Sequence, residues 1–598
     1  MKKEIKIALS SPKIKLCDPV QNAEILSHAA HEAYAEGAEI IAFPELALTG
    51  ATAGDLYFQE ALTEAAEAAL ASYARKTKDI EALSFVGLPI AREGGVYNSV
   101  VAISRGEIIG ATVSEIGDQP VFSTLASDTS VSFAGQSFLM SNAKIYTHAE
   151  SDTNIFVKIG DGAVAMPGGV DLIINPRATA EYVGLKKQRR AFVKNISAQI
   201  DGVFATVGAG EGESGTDGVY ASARLVANRG RLIAESMPFD GRTLYAVVDK
   251  TDLGKEILDD TDTSVLRFPF IPEDADERRE ACELALEIQA RALAGRMERA
   301  YAKTLVLGVS GGLDSTLAVL VAARAVDLLG VSRKSIIAIT MPCFGTTERT
   351  KINALALAEE LGASVRTIDI KAAVTQHFSD ISHDIDNYNV VYENAQARER
   401  TQILMDVANA EGGMVVGTGD LSELALGFAT YNGDHMSMYA VNSSVPKSLM
   451  RAMILHFADC ALQSGRVKLS AILRDVVDTP VSPELLPLEG GENKQHTESI
   501  VGPYELHDFF LYYTIKYGYS PRRIYDMARG AFAEYSAEEI SRYLGVFVRR
   551  FFSSQFKRSC MPDGPRVTEI SLSPRTSWQM PSDVSGSVWQ KLIPCEES

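Results

Sequence analysis

The sequence predicts an α/β protein built from two domains, and three observations support this. The chain has 598 residues, which is too long for one ordinary hydrophobic core. Strand-like and helix-like segments alternate over residues 1–250, and residues 280–598 contain, after a first helix, a strand, a glycine-rich loop and a helix. The acidic, proline-containing stretch between them, 251–279, has no sustained periodicity and is expected to be a connector.

The first domain is expected to be layered, with antiparallel strands added to it. It opens with the strand KEIKIALSS, a helix from about Gln21 to Gly37 and the strand AEIIAFPEL, and ALSFVGLPI follows another helix. Two hairpins are expected next. VYNSVVAIS meets EIIGATV at Arg105 and Gly106, and ARLVA meets RLIAES at residues 228–230.

The second domain is expected to be a doubly wound parallel sheet of the Rossmann-like kind. A helix from Glu280 to Lys303 leads into TLVLGVSGGLDSTLAVLVAARAV, which predicts a strand, a loop and a helix. The segments KSIIAITMP, ASVRTIDI and GMVVGTGD predict further buried strands separated by helices. Ligands of such sheets bind at the carboxyl ends of the strands.

Composition narrows the class of partner. The chain is 46% apolar and 23% charged, and its formal net charge is −19, which disfavours a nucleic-acid or anionic-membrane surface as the main partner. We therefore expect a small-molecule partner. No apolar run approaches the roughly 18 residues of a spanning helix, and MKKEIKIALSS has too short an apolar stretch for a signal peptide, so a cytoplasmic protein is expected.

The loop SGGLDS, residues 310–315, is the clearest sign of chemistry in the chain. Its glycines let backbone N–H groups approach phosphate oxygens, and the N-terminus of the following helix favours negative charge. The loop lacks the glycine–lysine–serine or threonine ending of a kinase-like phosphate loop. It resembles the pyrophosphate loop of the ATP pyrophosphatases, which cleave ATP between the α and β phosphates.

Four later blocks narrow the substrate. MPCFGTTERTKINA, YENAQARERTQIL, GTGDLSELALGFATYNGDHMSMYAVNSSVPKSLM and SSQFKRS together resemble the synthetase domain of NAD synthetases, over almost the whole stretch 280–595. The resemblance implies ATP-dependent amidation of deamido-NAD through a nicotinoyl adenylate, with release of AMP and pyrophosphate. It also implies a homo-oligomer with a dinucleotide site completed across a dimer interface.

The resemblance assigns roles to single residues. Together with the chemistry of the side chains, it leads us to expect catalytic roles for Ser310, Asp314 and Lys447. It implies ATP contacts for Gly308, Val309, Ser310, Gly311, Gly312, Leu313, Asp314, Ser315 and Thr418. It implies deamido-NAD contacts for Asn394, Glu423, Phe428, Ala429, Thr430, Tyr431 and Lys557.

Residue chemistry adds candidates that do not depend on the resemblance. Asp314, Asp420 and Glu423 are expected to hold magnesium or to order the substrate, with Asp314 and Glu423 as the proposed metal ligands. Lys447, Lys557 and Arg558 are expected to stabilise charge that develops on phosphates. Each of these charged residues, taken singly, could instead be a solvated surface side chain or a helix cap.

The first domain resembles the nitrilase-like glutaminase domain that is fused to many bacterial NAD synthetases, which implies an α-β-β-α sandwich. The blocks AFPELALTG with GDLYFQ, VGLPI, YNSVVAISRGEIIG and GAGEGESGTDG carry this resemblance. Glu45 falls on the catalytic glutamate of that family. Such a domain releases ammonia from glutamine for the amidation.

Other parts of that glutaminase site do not match. Ser114 stands where the family has a lysine, and Gly160 stands where it has the cysteine nucleophile. Leu185 aligns with a basic residue that binds glutamine, the segment DQPVFSTLASDTS lacks the family's tyrosine and arginine, and the loop AMPGGVD is shortened. A glycine cannot form the thioester, and a serine cannot supply the lysine's charge. The resemblance therefore indicates a degenerate glutaminase site.

Ammonia is consequently the expected nitrogen donor, with ATP and magnesium as the other requirements. Three alternatives stay open. Glutamine could be hydrolysed by an unrecognised nucleophile or by a separate glutaminase partner, the chain could be a catalytically inactive regulatory homologue, or it could be another amidating or thiolating ATP pyrophosphatase. The SELALG and FKRS blocks and the net acidity argue against the last alternative.

Overall fold

The computed structural model describes residues 4–92, 94–115, 121–161, 167–249, 265–345, 348–479, 485 and 502–594. The chain divides into two compact units. The first holds the described residues of Met1–Glu181, Leu185–Ser214 and Val219–Asp262, and the second holds those of Tyr182–Gly184, Gly215–Gly218 and Thr263–Ser598. Two short segments of the first half of the sequence are thus part of the second unit. The first half of the expected connector, residues 251–264, lies outside the described residues.

The first unit contains fourteen described strands and three described α-helices. The strands are β1 (Glu4–Leu9), β2 (Ile40–Ala42), β3 (Leu83–Arg92), β4 (Gly95–Ser104), β5 (Glu107–Val113), β6 (Thr129–Phe133), β7 (Gln136–Ser141), β8 (Ile145–His148), β9 (Thr153–Val157), β10 (Leu172–Arg177), β11 (Val203–Gly208), β12 (Arg224–Asn228), β13 (Arg231–Glu235) and β14 (Leu244–Asp249). The helices are α1 (Pro19–Ala35), α2 (Glu60–Lys76) and α3 (Leu185–Gln199), and Gly54–Phe58 forms a 3₁₀ helix.

These elements form two sheets packed face to face with helices outside. One sheet has the strand order β14-β1-β2-β3-β4-β5-β7-β6 and the other has the order β13-β12-β11-β10-β9-β8. Apolar side chains such as Ile7, Phe85 and Ile174 fill the space between the sheets. A second core joins the larger sheet to α1 and α2 through Leu26 and Leu70, and a third lies under α3. The expected α-β-β-α sandwich is confirmed.

The second unit contains five described strands and thirteen described α-helices. The strands are β15 (Leu305–Gly308), β16 (Ile336–Thr340), β17 (Ser364–Thr367), β18 (Met414–Gly417) and β19 (Tyr439–Ala440). The helices are α4 (Ala275–Arg299), α5 (Leu313–Leu328), α6 (Glu348–Glu360), α7 (Lys371–Asp380), α8 (Val390–Ala410), α9 (Leu421–Leu426), α10 (Lys447–Gln463), α11 (Val467–Val477), α12 (Tyr504–Tyr517), α13 (Pro521–Ala531), α14 (Ala537–Ser553), α15 (Gln555–Arg558) and α16 (Ser587–Gln590), and Arg333–Ser335 forms a 3₁₀ helix.

The sheet of this unit confirms the expected parallel arrangement. Its strand order is β17-β16-β15-β18-β19, and every pairing is parallel. Because β15 and β18 are neighbours, the loops after them, which begin at Val309 and Thr418, leave the same edge of the sheet. The expected nucleotide loop therefore lies at the carboxyl ends of the strands.

Two details differ from the expectations. Helix α4 begins at Ala275 and not at Glu280, because the Asp274 carboxylate accepts hydrogen bonds from the N–H groups of Asp276 and Glu277 and so caps the helix. Strand β17, expected to be buried, is an edge strand whose residues are partly or fully exposed. Among the described residues, no helix is both long enough and apolar enough to cross a membrane.

Candidate functional site

The phosphate loop owes its shape to Gly311. This residue has φ +88°, in the left-handed region, and a Cβ placed on it would lie 2.0 Å from the carbonyl oxygen of Thr350. Ser310 Oγ accepts a hydrogen bond from the Gly312 N–H at 3.2 Å, and Ser315 Oγ donates to the Gly312 carbonyl at 3.2 Å. Helix α5 begins directly after this loop, so its N-terminus presents unpaired N–H groups and a favourable field to an anion.

The ammonium of Lys447 lies among three carboxylates. Its Nζ donates to the two oxygens of Asp314 at 2.8 and 2.9 Å and to Glu423 Oε1 at 3.0 Å, and it lies 2.5 Å from Asp420 Oδ2. Asp314 comes from the first turn of α5, Asp420 and Glu423 from the start of α9, and Lys447 is the first residue of α10. Three helix N-termini thus bring these charges together.

Burial sets the protonation of this cluster. Burial raises the pKa of Asp420 well above its usual range and the pKa of Glu423 to about 7, and the neighbouring carboxylates add to both shifts. Burial alone would lower the pKa of Lys447, but Asp314, Asp420 and Glu423 outweigh it and raise that pKa well above its usual value. Lys447 therefore stays charged, and a further cation at the site would lower the pKa of both acids and favour their ionised forms.

The acids of this cluster fit a magnesium ion. One carboxylate oxygen from each of Asp314, Asp420 and Glu423 lies within 4.8 Å of the others, and hard oxygen ligands suit magnesium. Asp420 is fully buried and its carboxylate caps α9 besides pairing with Lys447, whereas the side chains of Asp314 and Glu423 are 23% and 22% exposed. Asp314 and Glu423 are therefore the two acids of the cluster that a metal ion could reach from solvent.

Asn442 is a site residue that the sequence analysis missed. Its side chain is fully buried, and its Nδ2 donates to the carbonyl oxygens of Asp314 at 3.0 Å and of Thr418 at 2.9 Å. Its Oδ1 accepts a hydrogen bond from Gln289 of α4. Asn442 thus ties the start of α5 to the end of β18, which fixes two of the expected ATP-contact segments relative to each other.

The residues expected to contact deamido-NAD gather around the end of α9. Thr430 Oγ1 donates to Asn394 Oδ1 at 2.8 Å. Lys557 Nζ donates to the carbonyl oxygens of Gly427 and Ala429 at 2.7 and 2.6 Å, so the structure brings Lys557 to the 427–431 segment.

Aromatic rings line the same segment. The Phe428 ring lies 5.0 Å from the Arg550 guanidinium, and the Tyr431 ring stacks on His435 and is tilted against Phe556. Tyr431 is 44% exposed, so part of its side chain is accessible to a ligand.

Arg558 does not have the phosphate-binding role expected of it. Its side chain is fully buried, and its guanidinium donates to the carbonyl oxygens of Leu424, Ala425 and Phe551 and to Gln555 Oε1. Burial lowers its pKa to about 9. Arg558 is a structural cation that binds the last turn of α9, and burial of this kind is not visible in the sequence.

The first unit keeps a carboxylate where an amidase-like site is expected. Glu45 is buried, and its charge lies close enough to Arg177 to influence the pKa of that guanidinium, which burial lowers. Gly160 has φ +72°, its N–H donates to the Pro176 carbonyl, and its own carbonyl accepts from Asn175 and Lys158. Ser114 is buried, and its backbone N–H donates to the Asn98 carbonyl. The position of the expected nucleophile is thus a hydrogen-bonded backbone turn.

One thiol of this unit lies near the Glu45 region. Cys17 packs with Leu46 and Tyr57, and the charges of Glu45, Glu213 and Cys17 all influence the pKa of the Tyr57 hydroxyl, which burial raises. Burial, with a contribution from Glu213, raises the pKa of the Cys17 thiol. A thiol with a raised pKa is mostly protonated at neutral pH and is a poor nucleophile.

Comparison with known families finds two matches along the chain. Residues 285–516 match the NAD synthase family, and residues 6–118 match the carbon-nitrogen hydrolase family. The second match includes Glu45 and Ser114 but ends before Gly160.

Similar proteins span the full length. A protein of Mycobacterium leprae named glutamine-dependent NAD(+) synthetase is 33% identical over 98% of this chain and 97% of its own length. The crystal structure of a glutamine-dependent NAD(+) synthetase from Cytophaga hutchinsonii superposes with a TM-score of 0.79 and 18% identity, covering 99% of both chains. A glutamine-dependent NAD+ synthetase from Acinetobacter baumannii, solved with ADP, superposes with a TM-score of 0.63 and 19% identity over 96% of this chain and 98% of that one. The similarity extends over both units.

Proposed function

We propose, because the chain belongs to the family of two-domain NAD synthetases, that it amidates deamido-NAD with ammonia and not with glutamine. It is a carbon–nitrogen ligase that binds ATP. The observation that carries the choice of ammonia is Gly160, a left-handed backbone turn without a side chain at the position where the family's glutaminase needs a thiol.

The reaction has two steps. A carboxylate oxygen of deamido-NAD attacks the α phosphorus of ATP, the bond to the β phosphate breaks, and pyrophosphate leaves. Ammonia then attacks the carbonyl carbon of the nicotinoyl adenylate, AMP leaves, and one proton is released. Both steps move negative charge onto phosphate oxygens, so the protein contributes chiefly by fixed positive field and by positioning.

The residues divide this work between them. The 310–313 backbone and the N-terminus of α5 hold phosphate charge, and Gly311 gives the loop the close turn that this needs. Lys447 neutralises Asp420 and holds Asp314 and Glu423 in place. When bound by Asp314 and Glu423, magnesium would neutralise the charge of the ATP phosphates.

The dinucleotide is placed by the other end of α9. Thr430 is hydrogen-bonded to Asn394, Lys557 is hydrogen-bonded to the backbone of the same segment, and the part-exposed Tyr431 is available for stacking. Lys557 directs two of its donors to backbone carbonyls, so it shapes the 427–429 segment as well as offering charge. We further propose that the synthetase half self-associates, as the resemblance implies.

The nitrogen donor depends on the chemistry of the first unit. Ser114 stands where the family has a lysine, whose charge would stabilise a tetrahedral oxyanion. Glu45 keeps its buried carboxylate, but position 160 is a glycine and not the cysteine nucleophile. Relatives named glutamine-dependent keep the alternative of glutamine open. Within the described part of the first unit, Cys17 is the thiol available to that alternative, which could also work through a hydroxyl nucleophile or a separate glutaminase.

One assay decides between these donors. Purified protein receives deamido-NAD, ATP and magnesium with either ammonium or glutamine, and NAD and glutamate are measured separately. We expect NAD with ammonium and neither product with glutamine. Glutamate release that rises in step with NAD and disappears in Cys17→Ser would replace the proposal with a Cys17-dependent glutaminase, and no NAD with either donor would refute the synthetase.

A further inference from the structure

We propose that the 215–218 loop, and Asp217 above all, is a positioning element of the ATP site, so that the first half of the chain supplies part of the synthetase's framework. This rests on the proposed function for its kinetic readout. The loop belongs to the second unit although the residues on both sides of it in the sequence belong to the first. The chain would then need its degenerate glutaminase domain because the sequence of that domain includes the 215–218 loop.

Three consecutive carbonyl groups of this loop accept hydrogen bonds from the body of the second unit. The Gly215 carbonyl accepts from the hydroxyl of Tyr439 at 2.5 Å, the Thr216 carbonyl from the N–H of Gly564 at 3.0 Å, and the Asp217 carbonyl from the N–H of Arg566 at 3.2 Å. Hydrogen bonds to three consecutive backbone carbonyl groups resemble the pairing of a strand added to the edge of a sheet, and not a contact between surface side chains. The loop is therefore built into the unit.

The carboxylate of Asp217 fastens the loop. Its Oδ1 accepts from Arg575 Nη2 at 2.8 Å and from Ser573 Oγ at 2.7 Å, and both its oxygens lie 3.1 Å from Arg575 Nε. The Asp217 side chain is 14% exposed. A fork-shaped guanidinium on a carboxylate fixes orientation as well as distance.

The contacts of this loop lead to the ATP site in two steps. Tyr439 opens β19, which pairs in parallel with β18 through Val416 and Gly417, and Thr418 follows directly. Three residues after Tyr439, Asn442 donates to the carbonyl oxygens of Thr418 and Asp314. The 439–442 segment is thus held by the loop at one end and holds the nucleotide segments at the other.

The same segment is braced from a third side by residues near Arg575. The Ala440 N–H donates to the Asp563 carbonyl at 2.8 Å, and a Cβ on Gly564 would lie 2.2 Å from the Ala440 carbonyl. Gly564 is also the residue that donates to Thr216. Loss of the Asp217 anchor would therefore loosen 563–564 and β19 together, and displacements near 1 Å at a reacting site cost about 100-fold in rate.

The experiment compares Asp217→Asn and Tyr439→Phe with the wild type, with Asp201→Asn as control because Asp201 pairs with Arg229 in the first unit at an exposed position. Rates with saturating ammonium give kcat and the KM for ATP, and calorimetry gives ATP binding without turnover. We expect Asp217→Asn to lower kcat/KM for ATP about tenfold and to leave the KM for ammonium unchanged. Asp217→Glu, which keeps the charge, should recover part of the loss.

Two outcomes would overturn the proposal. The first is a folded Asp217→Asn protein with wild-type kcat and ATP affinity. If Asp217→Asn does not fold, Tyr439→Phe is the deciding variant, since it removes one hydroxyl and leaves the buried ring in place. Wild-type ATP binding by Tyr439→Phe would then be the second outcome that overturns the proposal. If the wild type makes no NAD, the proposed function fails, and ATP binding by calorimetry alone still tests the loop.

Discussion

Lys447 Nζ and Asp420 Oδ2 lie 2.5 Å apart, and the Asp420 side chain has no exposure to solvent. A buried carboxylate whose counter-ion is removed must either take up a proton or stay charged without a partner. The two residues therefore depend on each other for stability as well as for any role in catalysis, and this dependence makes the cluster testable by two independent measurements.

Replacing Lys447 should damage both stability and activity. We expect Lys447→Ala to reduce the free energy of unfolding by about 3–5 kcal/mol, the usual result of breaking one side of a buried pair, and to reduce NAD formation by about 100-fold or more. Denaturant titration and initial rates measure the two effects. The double variant Lys447→Ala with Asp420→Asn should recover stability but not activity. A Lys447→Ala protein as stable as the wild type would contradict this account of the cluster.

Asp314 should be essential because it joins the phosphate loop to the cluster. Asp314→Ala removes two hydrogen bonds to Lys447 and one expected magnesium ligand, so turnover should fall by about 100-fold or more. Asp327→Ala is a matched control, since Asp327 lies on the same helix and pairs with Arg333 at the surface. Near-normal activity in Asp314→Ala would show that the phosphate loop is not part of the active site.

Gly311 should tolerate no side chain. Its φ is +88°, and the methyl group of an alanine at this position would lie 2.0 Å from the Thr350 carbonyl oxygen, so Gly311→Ala must move the loop. We expect loss of ATP binding by at least about tenfold, measured by calorimetry, together with a loss of stability from the strained backbone. Gly330→Ala is the control, because Gly330 also has positive φ, +66°, but a Cβ there would meet no atom within 4 Å. Equal ATP affinity in both variants would show that the loop conformation is unimportant.

The carboxylate of Glu45 should be dispensable with ammonium as donor. Glu45→Ala and Cys17→Ser should each leave the ammonium-dependent rate unchanged, since neither residue belongs to the unit that holds the proposed ATP site. Purified wild-type protein given glutamine alone should release no glutamate, which an enzymatic glutamate assay detects. Loss of a glutamine-dependent rate in Glu45→Ala would show instead that the first unit retains amide hydrolysis.

Self-association is the last expectation. Sedimentation velocity at micromolar concentration should give a species heavier than the 64.6 kDa chain. An active monomer at those concentrations would show that the ATP and deamido-NAD residues work within a single copy.

Local motifs made much of the site predictable. The phosphate loop, the Asp420 to Glu423 segment and Lys447 each come with a recognisable neighbourhood, and the neighbouring strands β15 and β18 explain why they meet. Helix α4 could have been placed correctly, because Asp274 followed by Asp276 and Glu277 is a cap signal.

Long-range packing made the rest unpredictable. Asn442 lies 128 residues from Asp314 along the chain, and no local pattern shows that its amide reaches the start of α5. Arg558 has a cationic side chain in a basic-looking block, and only its full burial reveals a structural role. The 215–218 loop lies in a motif that resembles a hydrolase, so no local pattern indicates that it belongs to the other unit.

Helix α9 sets the distance between the Asp420 cluster and the segment that begins at Gly427. It is six residues long, about 9 Å, with the Asp420 carboxylate at its beginning and Gly427, whose carbonyl accepts from Lys557, at its end. One inserted residue would turn everything after it by about 100° and move it by about 1.5 Å. Both ends could then keep their own hydrogen bonds while activity is lost, because in the proposed site the adenylate contacts both ends at a fixed distance and angle.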